Sequence, residues 1–98
     1  MFTHDILATD GQKYTAISVP STKALRISRM VLQNVGGASC SVVIFFNNTI
    51  YQRVLLDAKG DGYESTYELF LPSGDNLALR MDGASNVYYT IDYSLANV

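Results

Sequence analysis

The chain predicts an all-β fold, a two-layer antiparallel β-sandwich or jelly roll of seven to eight short strands. Three observations point there. Apolar and polar residues alternate through Asn76 to Asp82 and again through Val87 to Tyr93, placing Leu77, Leu79 and Met81, then Val87, Tyr89, Ile91 and Tyr93, on single faces. Turn signals recur along the chain at intervals of about ten residues, the rhythm of a sandwich. An Asn47-Asn48 pair stands between two β-rich runs, Ser41 to Phe46 and Thr49 to Leu56, and asparagine tolerates the positive φ that a tight hairpin requires.

Each element follows in order. Residues 1–12 are a polar start and read as an extended N-terminal arm, with Thr3 to Ala8 a candidate strand inside it. Tyr14 to Val19 is a strand with Ile17 and Val19 inward, stopped by Pro20, which lacks the N–H a ladder needs. Ala24 to Asn34 is β-compatible but out of phase: Leu25 and Ile27 share one parity, Met30 and Leu32 the other, so a β-bulge near Ser28-Arg29 is expected. A helix carrying Leu25, Met30 and Leu32 competes for this segment, but no capping pattern opens it. Gly36-Gly37-Ala38 breaks the chain. The apolar run Ser41 to Phe46 reads as a strand covered on both faces, the second cover supplied by a neighbouring subunit. After the glycine-rich loop 57–62, Ser65 to Leu71 leads into a terminal meander of three strands around the corner Pro72-Ser73-Gly74-Asp75.

Size and composition limit the role. The 98 residues make a single β-sandwich domain, and a chain of this length buries only a little over about 60% of its unfolded surface, which favours two packed layers or association. Charged residues are 16% of the chain and seven residues are tyrosine, a surface with few charges to keep it solitary. Nine acids and seven bases, scattered singly, give a net charge of −2 and no basic stripe for phosphates, so no nucleic-acid partner is expected. No apolar run approaches a membrane span and the start lacks a signal-peptide pattern, so no membrane partner is expected either. Cys40 is the single cysteine, which leaves no intrachain disulfide and fits assembly inside a reducing cell.

No motif reaches catalytic grade, and the chain is expected not to be an enzyme, with no catalytic residue, cofactor or metal. Asp57, Asp61, Gly62 and Glu68 occupy positions 1, 5, 6 and 12 of a calcium-loop pattern. Lys59 stands where the third position requires oxygen, and strands flank the loop where helices belong, so these residues read as a solvated turn. His4 has no second histidine or cysteine beside it and reads as a polar N-terminal residue. Cys40 reads as a small hydrophobe. The acids Asp5, Asp10, Asp57, Asp61, Glu64, Glu68, Asp75, Asp82 and Asp92 offer no selectable glycosidase pair. Asn47-Asn48-Thr49 matches a glycosylation sequon but reads as a turn. Tyrosine is the enriched chemistry. Tyr89 and Tyr93 read as core, while Tyr88, on the opposite parity, projects outward, and Tyr88, Tyr51, Tyr63 and Asp61 are the interface candidates.

The segments Lys13 to Ile27, on to Leu32-Gln33-Asn34, and then Leu69-Phe70-Leu71-Pro72-Ser73-Gly74-Asp75-Asn76-Leu77, resemble small virion structural proteins of tailed bacteriophages. In that group a "YTVPAGK" strand-turn precedes a long strand ending near Asn, and a later "L-x-x-GD-x-L" precedes a terminal strand; here Ser18 and Ser21-Thr22 replace the commoner Thr and Ala-Gly. The resemblance implies a head decoration or cement protein, assembled in the host cytoplasm into the virion. Its partner would be the major capsid protein or another virion protein, and it would act as a homo-oligomer, a trimer being favoured on a threefold lattice. The N-terminal arm would add a strand to a neighbour's sheet, and the terminal strand and loop 57–62 would add contacts. Two other classes fit the residues. One is a carbohydrate- or receptor-binding domain of a tail fibre or spike, with Asn48, Gln52 and Asp61 beside exposed tyrosines; the other is a small-molecule-binding anti-defence protein with an enclosed pocket.

Overall fold

Nine strands form among the described residues, which in this computed structural model are 1–7, 11–58, 60–65 and 68–98. They are β1 (Phe2–Ile6), β2 (Tyr14–Ser18), β3 (Lys23–Asn34), β4 (Cys40–Phe46), β5 (Thr49–Leu56), β6 (Gly62–Ser65), β7 (Leu69–Leu71), β8 (Asn76–Asp82) and β9 (Val87–Asn97). The Ala8 end of the expected first strand, Asp10, Lys59 in the 57–62 loop and residues 66–67 within the Ser65 to Leu71 segment lie outside the described residues.

Every pairing is antiparallel, and the pairings nest. β4 pairs β5, β3 pairs β6 and β7, β2 pairs β8, and β1 pairs β9, so the chain runs out and returns along itself. Two further contacts, β3 with β9 and β4 with β8, close this long hairpin into a five-stranded sheet ordered β1-β9-β3-β6, with β7 also on β3, and a four-stranded sheet ordered β2-β8-β4-β5. The count exceeds the expected seven to eight strands because β6 and β7 are separate strands that share β3 as partner. The expected terminal meander is also corrected. β7 and β9 lie in one sheet and β8 in the other, so each corner of that segment carries the chain across the sandwich. Alternation shows which residues face the core but is the same whichever sheet a strand joins.

The main core lies between the sheets. Leu25, Ile27, Met30, Leu32, Val42, Ile44, Leu77, Leu79, Met81, Val87, Tyr89 and Ile91 are all buried in it. Each such side chain contributes about 1.5–3 kcal/mol on burial. The phase slip in β3 is resolved as its parity implies. The register against β9 shifts between Ile27 and Arg29, and the bulge turns Leu25, Ile27, Met30 and Leu32 inward together. At the hairpin, Asn47 (φ 48°) and Asn48 (φ 71°) both take the left-handed conformation that a type I′ turn requires.

β4 is covered on both faces, though its second cover comes from its own chain and not from the expected neighbouring subunit. Val43 and Phe45 with Ala78 of β8 form a small outer cluster. Lys13 Nζ lies 5.1 Å and the Arg80 guanidinium 5.4 Å from the centre of the Phe45 ring, so cationic stems roof the cluster.

One end of the sandwich is tied by Asn34, a fully buried residue at the end of β3. Its side-chain amide donates to Ala38 O and Asp57 O, both at 2.9 Å, and its side-chain oxygen accepts from Gly36 N (3.0 Å) and Ser85 Oγ (2.7 Å). Its main chain donates to Asp61 O at 2.8 Å and accepts from Gly60 N at 2.6 Å. Three loops, after β3, β5 and β8, thus meet at one side chain. Gly36 completes the junction, because a Cβ there would lie 2.1 Å from Ser85 Oγ and 2.6 Å from Asn86 N.

Candidate functional site

An exposed aromatic surface is built by β1 on β9. In place of an arm reaching to a neighbour, Phe2–Ile6 pairs with its own terminal strand, from Phe2 opposite Asp92 to Ile6 opposite Tyr88. Both ends of β1 are pinned. The Met1 ammonium donates to Tyr93 O (3.0 Å), Tyr93 N donates to Met1 O (2.9 Å), and Leu7, buried in the core, donates its N–H to Val87 O (2.8 Å). Since Tyr89 and Ile91 of β9 are buried, the alternate residues must face out. Opposed residues of an antiparallel pair share a face, so Phe2, His4, Ile6, Tyr88, Thr90 and Asp92 lie together on the outside of the five-stranded sheet. Phe2 is 63%, Tyr88 49% and Ile6 43% exposed. The Phe2 and His4 rings stack, with centroids 5.8 Å apart.

Beside this strip the face carries its charge as ion pairs. Arg29, opposite Asp92 in register, donates through Nε to Glu64 at 2.7 Å, and Arg26 pairs with Glu68. The Arg26 guanidinium holds the Glu68 carboxyl below the usual carboxylate range. On the outer face of the four-stranded sheet the pattern inverts. Asp82 accepts a forked pair of bonds from Arg80 (2.9 and 3.1 Å) and a further bond from Arg53 (3.1 Å), and these guanidiniums, Arg80 first, hold its carboxyl low against a smaller opposing cost of desolvation. Ile50 and Leu55 of β5 stand exposed beside them.

Of the interface candidates, Tyr88 faces solvent within the strip and Tyr51 is exposed at the hairpin, its ring stacked 4.3 Å from Phe46. Tyr63 and Asp61 have internal duties. The half-buried Tyr63 hydroxyl donates to Gln52 Oε1 at 3.0 Å, clipping β6 of one sheet to β5 of the other. The Asp61 carboxylate accepts from Asp57 N (2.8 Å) and Gly62 N (3.0 Å), shaping the loop that Asn34 anchors. Asp57, Asp61 and Glu68 do not converge, because Glu68 is held by Arg26. Among the described residues no three His, Cys, Asp or Glu side chains gather as a metal site would require. Cys40 is buried, and that burial pushes its thiol pKa up, away from nucleophilic reactivity. Burial likewise raises the Tyr89 hydroxyl, with further contributions from a bond to Tyr14 and the charge of Asp5.

The sequence reading passed over Phe2 and Ile6, although the alternation Phe2-Thr3-His4-Asp5-Ile6 carried the signal of a strand with an apolar face. Arg80 and Asp82, two residues apart on β8, share a face by alternation alone, whereas Arg53 had no comparable signal, since it reaches Asp82 only across β4.

No protein-family model matches the chain, and no curated protein matches it in sequence. Among solved structures it is similar to a chain of the "Acidic stable capsid structure of Helicobacter pylori bacteriophage KHP30". The likeness covers 100% of this chain and 91% of that one, with a TM-score of 0.70 and 16% sequence identity. At that identity the two share a fold.

Proposed function

We propose that this chain is a non-enzymatic structural protein of a phage virion, of the head decoration or cement type. One observation carries the reading: the fold match to a chain of a phage capsid structure spans nearly the whole of both chains. The nested order of strands supports it, being that of a jelly roll, a plan used by viral capsid domains. The protein binds the major capsid protein or another virion protein through exposed aromatic and aliphatic side chains. Many copies on a lattice convert weak single contacts into strong avidity. A homotrimer suits a threefold position on that lattice.

The test is co-sedimentation with isolated capsids that lack the protein, scoring stoichiometry and the melting temperature of the shell. Saturable binding in a lattice stoichiometry with a raised melting temperature is the expected result. A protein that leaves capsids unbound and unstabilised overturns the cement reading. A shift of Tyr88 resonances on adding a glycan panel would then move it to receptor recognition.

A further inference from the structure

The two outer faces carry opposite charge patterns. On the four-stranded sheet one carboxylate, Asp82, sits between two guanidiniums, Arg53 and Arg80, and Lys13 lies beside them over Phe45. On this face Lys13, Arg53 and Arg80 outnumber the carboxylates of Asp82 and of Asp57, which lies at its edge beside Leu55. On the five-stranded sheet two guanidiniums stand among three carboxylates: Arg29 is bonded to Glu64 and opposite Asp92 in register, and Arg26 is bonded to Glu68. The two faces thus lean to opposite sign in a molecule whose total is only −2.

Both faces also offer apolar area next to the charge. Leu55 is 77% and Ile50 55% exposed on the basic face. Phe2, Ile6 and Tyr88 line the acidic one. Opposite charge with apolar area on both sides is the complementarity that sets register and partner at an interface.

We propose that the occupant of the basic face is a second copy of this chain, which docks its β1/β9 strip there so that Asp92 and Glu64 of one copy meet Arg53, Arg80 and Lys13 of the next. The contact joins two different patches and is therefore heterologous; it propagates from copy to copy and closes into a ring when the rotation allows. Self-association of this kind does not depend on the virion reading and stands or falls separately from capsid binding.

The experiment is light scattering with sedimentation velocity over a wide concentration range, at low and high salt, on the wild type, Arg53→Glu, Asp92→Arg and the double exchange. The wild type is expected to form a discrete higher-mass species that salt dissociates. Each single reversal weakens association by about tenfold or more, and the double exchange restores it. Melting curves identify any variant that fails to fold, in which case Leu55→Asp and Tyr88→Asp test the same two faces by desolvation. A wild type that stays monomeric at every concentration overturns the proposal, and so does an oligomer unmoved by all the variants. Monomers that bind capsids in an Arg53-dependent manner also overturn it, and assign the basic face to the shell.

Discussion

The two ends of the sandwich are closed by different means. At one end a single buried side chain, Asn34, holds the loops after β3, β5 and β8 through bonds to Ala38, Asp57, Gly36 and Ser85. At the other the turns hold one another through main chain. Val19 N donates to Asp75 O at 2.9 Å, Gly74 N to Val19 O at 3.1 Å, and Asn47 N to Asn76 O at 2.9 Å. Turn chemistry is redundant, because each short turn is favoured by its own residues and tolerates the loss of one bond. A buried amide with every donor and acceptor engaged has no such reserve, since its removal strands several partners away from water.

The largest expected effect follows from that asymmetry. Asn34→Ala leaves Gly36 N, Ser85 Oγ and two carbonyls without their partner, and should cost about 2–4 kcal/mol, read as a fall in the denaturant midpoint at constant slope. An unchanged midpoint would remove Asn34 as the keystone of its end.

Gly36→Ala forces a Cβ against Ser85 and Asn86 and should cost about 1–3 kcal/mol, whereas Gly37→Ala meets nothing within 4 Å and should be close to neutral. Equal melting temperatures for the two variants would break the comparison. At the turn end Asn48→Ala places alanine at φ 71° and should cost about 1 kcal/mol, while Asn48→Gly should recover most of it. A larger loss at Asn48 than at Asn34 would reverse the ranking of the two ends.

The smallest effect is expected from acid. Glu68 and Asp82 have carboxyls held low by Arg26 and by Arg80 with Arg53, so their contribution is present above the ordinary carboxylate range and is lost as pH falls through their depressed values. The Arg26–Glu68 pair is exposed and the Arg80–Asp82 pair half-buried at the surface, so the melting temperature should drop only slightly. Asn34 and Ser85 do not titrate, and amide exchange at their end, corrected for intrinsic rate, should change less with acid than exchange beside Arg26 and Arg80.

The turn end was the more legible of the two. Pro20, the Asn47-Asn48 pair and the Pro72 to Asp75 corner were all recognised in the sequence, because a residue's own φ preference acts locally. The Asn34 junction was not, since an asparagine closing a strand looks alike whether its amide faces water or ties three loops. Its partners Asp57 and Ser85 lie 23 and 51 residues away in sequence.

The amino-acid sequence by itself determined the all-β class, the inward residues of β2, β3, β8 and β9, the hairpin and the bulge in β3, all consequences of period-two alternation and local backbone preference. Only the tertiary structure decided which sheet each strand joins, that β1 pairs within its own chain, that Tyr63 and Asp61 serve the fold, and how charge divides between the two outer faces. Those outcomes depend on pairings between distant segments, and alternation along one strand carries no information about its neighbour.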